Sequence, residues 1–516
     1  MRILNPIDRS AGRPLCANQE QLLLSREWLQ QRSDAIPVSL TPTVLALRGP
    51  LKCDALERAL NEIVRRHAAL RVRFYRTPSM PVEEREQRLR AFGNGIYTPG
   101  LYEQSVYENV QFRLRSVDLT DLRSPIANEE IRNVFYDEAT GRFDYSNPPL
   151  LHATLLKRAP GDHLLIVVAD HVVADAWSMR LLRSELALLY EHYCGSTPYP
   201  LAEPGLHFPD YAVWQNQARA NGHFARSAAY WKQQWTRFGA ARIGLGELPF
   251  AVPAEPYGTV SFGSEQVTLE PGMCQEIRRC ARLFRVTLNM FFVAACAVLL
   301  QSYTRRNRLA IWSHFSNRGR PDVQNTIGYF VHSHLLGIDF DSASTGTELL
   351  EQVRQTVLDG YDHQEMPLPH LWQELNCWPR YADARVLVDY QQTEEPWEDV
   401  PPSSGLAIHR AKLPELRQGR FSSLGVYIRD GKDGMSLSVQ YAKNRFPELA
   451  IRHLLEDLQA VIAQFLAGPD RRISAFVEKP RYADSPVRPA VGMGEFVGLE
   501  HAATGWSHPV PQLQTD

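Results

Sequence analysis

His163-Leu-Leu-Ile-Val-Val-Ala169 runs directly into Asp170-His171-Val172-Val173-Ala174-Asp175-Ala176-Trp177-Ser178, and MRLLRSELALLYEHY continues to Tyr193. The first stretch is apolar, β-branched and bounded by Gly161 and Asp170, the pattern of a central strand covered on both faces. From Ala176 the apolar residues Met179, Leu182, Leu186 and Tyr190 recur at helical spacing, which predicts a helix over 176–193. A polar cluster therefore sits at the end of a rigid strand, where side chains can be aimed more accurately than on a free loop.

Working outward, Asp54-Ala-Leu-Glu57 has the form of a helix N-cap, and Leu56, Leu60, Ile63 and Val64 continue it as an amphipathic helix over about 54–69. Thr287 is placed to cap a largely buried helix running to about Tyr303. LGVYIRD and MSLSVQY alternate on either side of Gly431–Gly434, a hairpin over 424–441. Ile451, Leu454, Leu455, Leu458, Val461, Ile462 and Phe465 mark a last amphipathic helix. Helical and extended patterns alternate throughout without a repeat, so the class is mixed α/β. Residues 195–206 are rich in Gly and Pro and divide the chain into stretches 1–198 and 199–477. Residues 478–516 carry five prolines and no periodicity, and are expected to be a flexible tail. Residues 76–112 are long for a connection and read as an ordered surface insertion.

Composition narrows the function classes. The 516 residues suit roughly three domains or two large ones. Fifty-six Lys and Arg against 58 Asp and Glu leave a net charge of -2, which argues against a chain built to grip nucleic-acid backbone. The seven cysteines are scattered and include no C-x-x-C, so neither a zinc site nor a disulfide framework is expected. The N-terminus lacks a signal-peptide core, and Met290–Leu300 (MFFVAACAVLL) is too short to span a bilayer. The expectation is a reduced, cytoplasmic protein with no bound metal and no membrane.

His171 is the residue with chemistry to offer, because an imidazole near its ordinary pKa can take a proton from an attacking amine or hydroxyl. Taken alone, such a histidine is more often a satisfied structural one. Asp175 is placed to orient the turn through an ion pair with an arginine. Trp177 reads as core packing or as a substrate contact, and Ser178 as a cap of the following helix or part of the site.

Residues 170–178 resemble the condensation-domain family of nonribosomal peptide synthesis, whose signature is H-H-x-x-x-D-G followed by W-S; the match falls on His171, Asp175, Trp177 and Ser178. Further motifs follow in the family's order: Ala17-Asn-Gln19, Arg66-His67-Ala-Ala-Leu70-Arg71-Val-Arg-Phe74, Phe143-Asp144 with Pro149-Leu150, and Pro209-Asp210-Tyr211-Ala-Val-Trp214 with Tyr230-Trp231. Asn317-Arg-Gly-Arg320, Ile327-Gly328-Tyr-Phe330-Val331 and His363-Gln364-Glu-Met-Pro367 complete the series, so the resemblance covers about residues 15–467.

The resemblance implies an α/β fold (an α+β sandwich) of two chloramphenicol-acetyltransferase-like lobes in a V, 1–198 and 199–477, with a tunnel at their interface. It implies condensation: an acyl, peptidyl or polyketide chain moves from a carrier protein's phosphopantetheine thioester to an amine or hydroxyl, giving an amide or ester, with chain release among the settings it implies. Phosphopantetheine would come from carrier proteins met in trans, with no cofactor bound by this chain, and a monomer is expected. His171 would assist the nucleophile, with backbone N–H groups of the turn steadying the oxyanion. Asp175 would be structural, with Arg71 as its ion-pair partner; a solvent-facing helix-end arginine is the other reading of Arg71.

Three positions depart from the family. Asp170 replaces its first histidine, Ala176 its glycine, and His332 the asparagine of I-G-x-F-V-N-T. If position 176 needs φ > 0, a Cβ there costs about 1 kcal/mol or more. His332 is either a second polar group near the tunnel or a neutral surface change. Asp170, Asp175 and Ser178 also spell D-x-x-x-x-D-x-x-S, the signature of heterocyclization relatives, although those do not keep a histidine at position 171. A non-catalytic recruitment module of the same fold is the remaining alternative.

Overall fold

The computed structural model describes residues 7–30, 40–93, 96–195, 197–241, 247–252, 261–375, 386–393, 402–411, 424–432 and 434–476. The expected tail 478–516 lies outside these. The chain opens with β1 (Arg13–Pro14), α1 (Ala17–Gln30), β2 (Leu40–Arg48), α2 (Cys53–Arg66), β3 (Val72–Arg76), α3 (Val82–Gly93), β4 (Tyr102–Val106) and β5 (Arg115–Asp118). It continues through α4 (Ser124–Thr140), β6 (Leu151–Ala159), β7 (Asp162–Asp170), α5 (Ala176–Tyr193), α6 (Phe208–Ala220), α7 (Ala225–Phe238), β8 (Phe262–Thr268), α8 (Pro271–Leu283) and α9 (Leu288–Thr304). The last elements are β9 (Arg308–Phe315), β10 (His332–Asp339), α10 (Gly346–Asp362), α11 (Leu368–Glu374), β11 (Val386–Gln392), β12 (Ala407–Arg410), β13 (Leu424–Gly431), β14 (Gly434–Ala442) and α12 (Glu448–Ala467).

Two large mixed sheets organise the molecule. The first has the order β12-β2-β7-β6-β5, and the second β10-β9-β11-β13-β14-β8. β7 is the middle strand of its sheet, antiparallel to β2 and β6, and buried from His163 to Asp170. Its uninterrupted apolar run follows from that position, since α2, α4 and α5 contribute Leu60, Phe135 and Leu186 to the same core. The second core forms around α9, whose side chains are buried on every face from Met290 to Leu300. A helix apolar all round is a core helix, and Thr287 caps it by accepting from the Met290 N–H at 3.2 Å. Among the described residues no single helix is long and apolar enough to cross a membrane.

Local differences from the sequence reading have physical causes. α2 begins at Cys53, so Asp54 lies within its first turn rather than capping it, and the helix stops at Arg66 where His67 turns extended. The expected insertion is ordered: α3 packs on α1 through Leu89, Phe92, Leu24 and Trp28, and β4 pairs with β1 and β3 in a small third sheet. The stretch beyond residue 198 also does not keep to itself. β12 leaves it to pair with β2 at the edge of the first sheet, and Val323, Ile327 and Phe330 fill the first core.

Candidate active site

β7 ends at Asp170 and α5 starts at Ala176, and the five residues between them form a tight turn held from within. Asp170 is 1% exposed and organises it. Its Oδ1 accepts from the Val172 N–H at 2.9 Å, and its carbonyl accepts from the N–H groups of Val173 and Ala174 at 3.0 and 3.2 Å. The charge is matched by Arg26 of α1, whose Nη1 lies 3.0 and 2.8 Å from the two carboxylate oxygens, and the Tyr145 hydroxyl donates at 3.0 Å. An aspartate in place of the family's first histidine is therefore one half of a buried ion pair. The three amides at 172–174 are used inside the turn, which removes them as oxyanion donors.

His171 is half-buried at the head of the turn. Its Nδ1 is 2.8 Å from the Ala174 carbonyl oxygen. A carbonyl only accepts, so Nδ1 carries the hydrogen, and in the neutral ring Nε2 holds the lone pair. The Tyr329 ring lies beside the imidazole, centroids 4.6 Å apart.

Asp175 is the N-cap of α5, accepting from the Ser178 N–H at 2.8 Å. Its ion-pair partner is Arg318, with Nη2 3.1 and 3.4 Å from the carboxylate oxygens and both side chains almost fully buried. The Phe330 N–H donates to Asp175 Oδ2 at 3.0 Å. Arg71 is not the partner. It stands at the end of a 3₁₀ turn and points back onto the C-terminal carbonyls of α2, donating to Val64 and Arg65 at 3.0 and 3.1 Å and also to Tyr107 and Glu108. Nor does it face solvent as a loose arginine; four backbone carbonyls receive its guanidinium.

Ala176 is the first residue of α5, and positive φ among described non-glycine residues occurs only at Arg285, Arg305 and Asn317. The expected Cβ penalty at 176 is absent. Trp177 belongs neither to the core nor to the buried part of the turn: it is 38% exposed, and its indole N–H donates to the Gln324 carbonyl at 2.9 Å. Ser178 is fully buried. Its Oγ lies 2.8 Å from both Asp175 Oδ1 and the Gly328 carbonyl oxygen, and accepts from the Gly328 N–H and from Arg318.

His332 starts β10 and is 2% exposed, which overturns the surface reading. Its Nδ1–H donates to the Gln364 carbonyl at 2.9 Å, and Asn317 Nδ2 lies 3.4 Å from Nε2 and 2.9 Å from the Tyr211 hydroxyl. Burial pushes the imidazole down to about 4, so it is neutral near pH 7.

The sequence reading missed Arg26, Tyr145, Arg318 and Tyr329 as members of this cluster. A signal existed for Arg318, which lies inside a quoted motif behind Asn317; φ of 53° at Asn317 turns the chain so that Arg318 reaches inward. Gly328 has its own reason, since a Cβ there would collide with the Phe208 ring. A groove of about 750 Å³ beside α2, lined by Cys53, Arg58, Asn61 and Tyr193 among others, contains none of these residues.

Two mixed sheets joined through a histidine-bearing turn at the end of a central strand place the fold in the chloramphenicol-acetyltransferase-like class. A family model described as Condensation domain matches residues 99–478, and the chain belongs to the condensation-domain family. Chondramide synthase cmdD of Chondromyces crocatus is 28% identical over 462 residues, covering 87% of this chain and 11% of that protein. The chain thus spans about a tenth of the length of the curated relatives it matches first. Among solved structures, SgcC5 from Streptomyces globisporus aligns with a TM-score of 0.69 at 21% identity, over 89% of this chain and 100% of that one. The condensation domain of the Monacolin K polyketide synthase MokA aligns with a TM-score of 0.71 at 19% identity, over 90% and 99%.

Proposed function

We propose that this chain transfers an acyl, peptidyl or polyketide group from the phosphopantetheine thioester of a carrier protein to an amine or hydroxyl acceptor, and that His171 is the group assisting the nucleophile. The observation that carries the reading is the fixed tautomer: Nδ1–H is committed to the Ala174 carbonyl at 2.8 Å, which makes Nε2 the acceptor for the nucleophile's proton. A thioester is already activated, so no covalent enzyme intermediate is required. Holding donor and acceptor together at the junction of the two sheets accounts for much of the acceleration, as correct positioning can lower a barrier by about 7–11 kcal/mol. With amides 172–174 occupied, the first-turn N–H groups of Ala176 and Trp177, at the positive end of α5, are the proposed donors to a developing oxyanion. SgcC5 is described in complex with a naphthyl ethanediol, and that supports including a hydroxyl among the acceptors.

The test is His171→Ala with a loaded carrier protein and a panel of amines and alcohols, products read by intact mass. A fall in transfer rate of about 10²–10⁴-fold is expected for loss of a general base. Unchanged product formation would remove the catalytic assignment of His171, whereas no transfer by the parental chain would leave a recruitment module. Loss of one further water from a Cys, Ser or Thr acceptor would mark heterocyclization instead.

A further inference from the structure

Tyr329 enters the site from the second half of the chain. Its ring centroid lies 4.6 Å from that of His171, with the planes at 49°, and the residue is half-buried. The backbone on both sides is fixed: the Gly328 N–H donates to Ser178 Oγ at 3.0 Å, and the Phe330 N–H to Asp175 Oδ2 at 3.0 Å. One residue further on, the Val331 carbonyl accepts from Asn18 Nδ2 of α1 at 3.1 Å. The phenol ring is thus carried on a segment bonded to the cap and first turn of the helix that follows His171. The Ala174 carbonyl on Nδ1 and the Tyr329 ring along the flank reach the imidazole from opposite halves of the chain.

We propose that Tyr329 is a positioning residue for His171, using its aromatic ring to hold the imidazole in register and to stabilise it when it becomes cationic. The proposal rests on the reading of His171 given above. As the acceptor's N or O bonds to the thioester carbon, its proton moves to Nε2, while Nδ1–H stays on Ala174. The imidazolium then lies against the electron-rich ring of Tyr329, an attraction of the cation–π kind. When the carbon–sulfur bond breaks, the proton passes to the departing phosphopantetheine sulfur and the imidazole is neutral again. The other charged groups packed around the turn are matched in pairs, Arg26 with Asp170 and Tyr145, and Arg318 with Asp175; Arg180 lies further along α5. Removing the ring is therefore the change that acts on the imidazole without unbalancing a charge.

Tyr329→Phe keeps the ring and Tyr329→Leu removes it. Two measurements are made on the full chain: the titration midpoint of His171 by NMR with ¹³C-labelled histidine, the signal assigned from His171→Ala, and steady-state transfer from a loaded carrier protein. Phe is expected to match the parent within about 2-fold in kcat with the same midpoint. Leu is expected to lower the midpoint by about half a pH unit, the size of an exposed cation–π contact. It should also lower kcat about 5–20-fold at unchanged KM for the carrier. A Leu variant with parental midpoint and kcat overturns the proposal, as does a Phe variant as impaired as Leu. Should the Leu protein not fold, Tyr329→Met, unbranched and apolar, takes the same two measurements. If His171→Ala itself transfers normally, the base reading fails, whereas the midpoint shift still decides whether the ring acts on the imidazole.

Discussion

Asp175 accepts hydrogen bonds from the Ser178 amide, the Phe330 amide and Arg318, so one carboxylate joins a helix cap on the first sheet to two segments that follow β9. Removing one member of a buried ion pair leaves the other charge without compensation, at about 3–5 kcal/mol. Arg318→Ala is expected to lose that much stability in urea unfolding, and Arg71→Ala about 1–2 kcal/mol, since it gives up hydrogen bonds to backbone carbonyls only. In a double-mutant cycle with Asp175→Asn, Arg318 should couple by more than about 1 kcal/mol and Arg71 by nothing measurable. At this scale the sequence identified the acid and mistook the base. A motif gives neighbours along the chain; the direction of Arg71 depends on a 3₁₀ turn aiming it at the carbonyls of Val64 and Arg65.

Among elements, β7 and α5 were legible to within a residue at each end because each carries a single unmixed period, apolar throughout in one and helical in the other. The end of α2 was not: the pattern ran on to about 69, whereas the helix stops at Arg66, where His67 turns extended. The turn between β7 and α5 was placed correctly, but its internal wiring was invisible, because Arg26 approaches Asp170 from a helix 144 positions earlier. Asp170→Asn should leave the Arg26 guanidinium buried without its counter-ion and cost about 3 kcal/mol. The local signature is hydrogen exchange: the Val172 amide, held by Asp170 Oδ1, is expected to exchange at least about tenfold faster in the variant while the centre of α5 keeps parental protection.

For the molecule as a whole, several imidazoles are buried in the second half of the chain. Burial, first of all, pushes His332 down to about 4 and His370 to about 3. Unfolding returns them toward the ordinary value near 6.5, so between that value and the folded one the unfolded chain binds more protons. Stability is expected to be full above about pH 6.5 and to fall as the pH drops toward 4, with His332 alone contributing on the order of 3 kcal/mol. Thermal unfolding at pH 7 and pH 5 measures this, and His332→Asn should flatten the difference. The two-sheet class was readable from alternating patterns and ordered motifs, whereas the four-residue β12 carries too little periodicity to be recognised at all. That strand has a lasting effect. Residues 407–410 complete the edge of the first sheet by pairing with β2, roughly 360 residues earlier, a separation that slows closure. On the ribosome, β2 must therefore wait with open backbone donors and acceptors until residues 407–410 have emerged, a natural landing place for a chaperone and, in its absence, for another nascent copy.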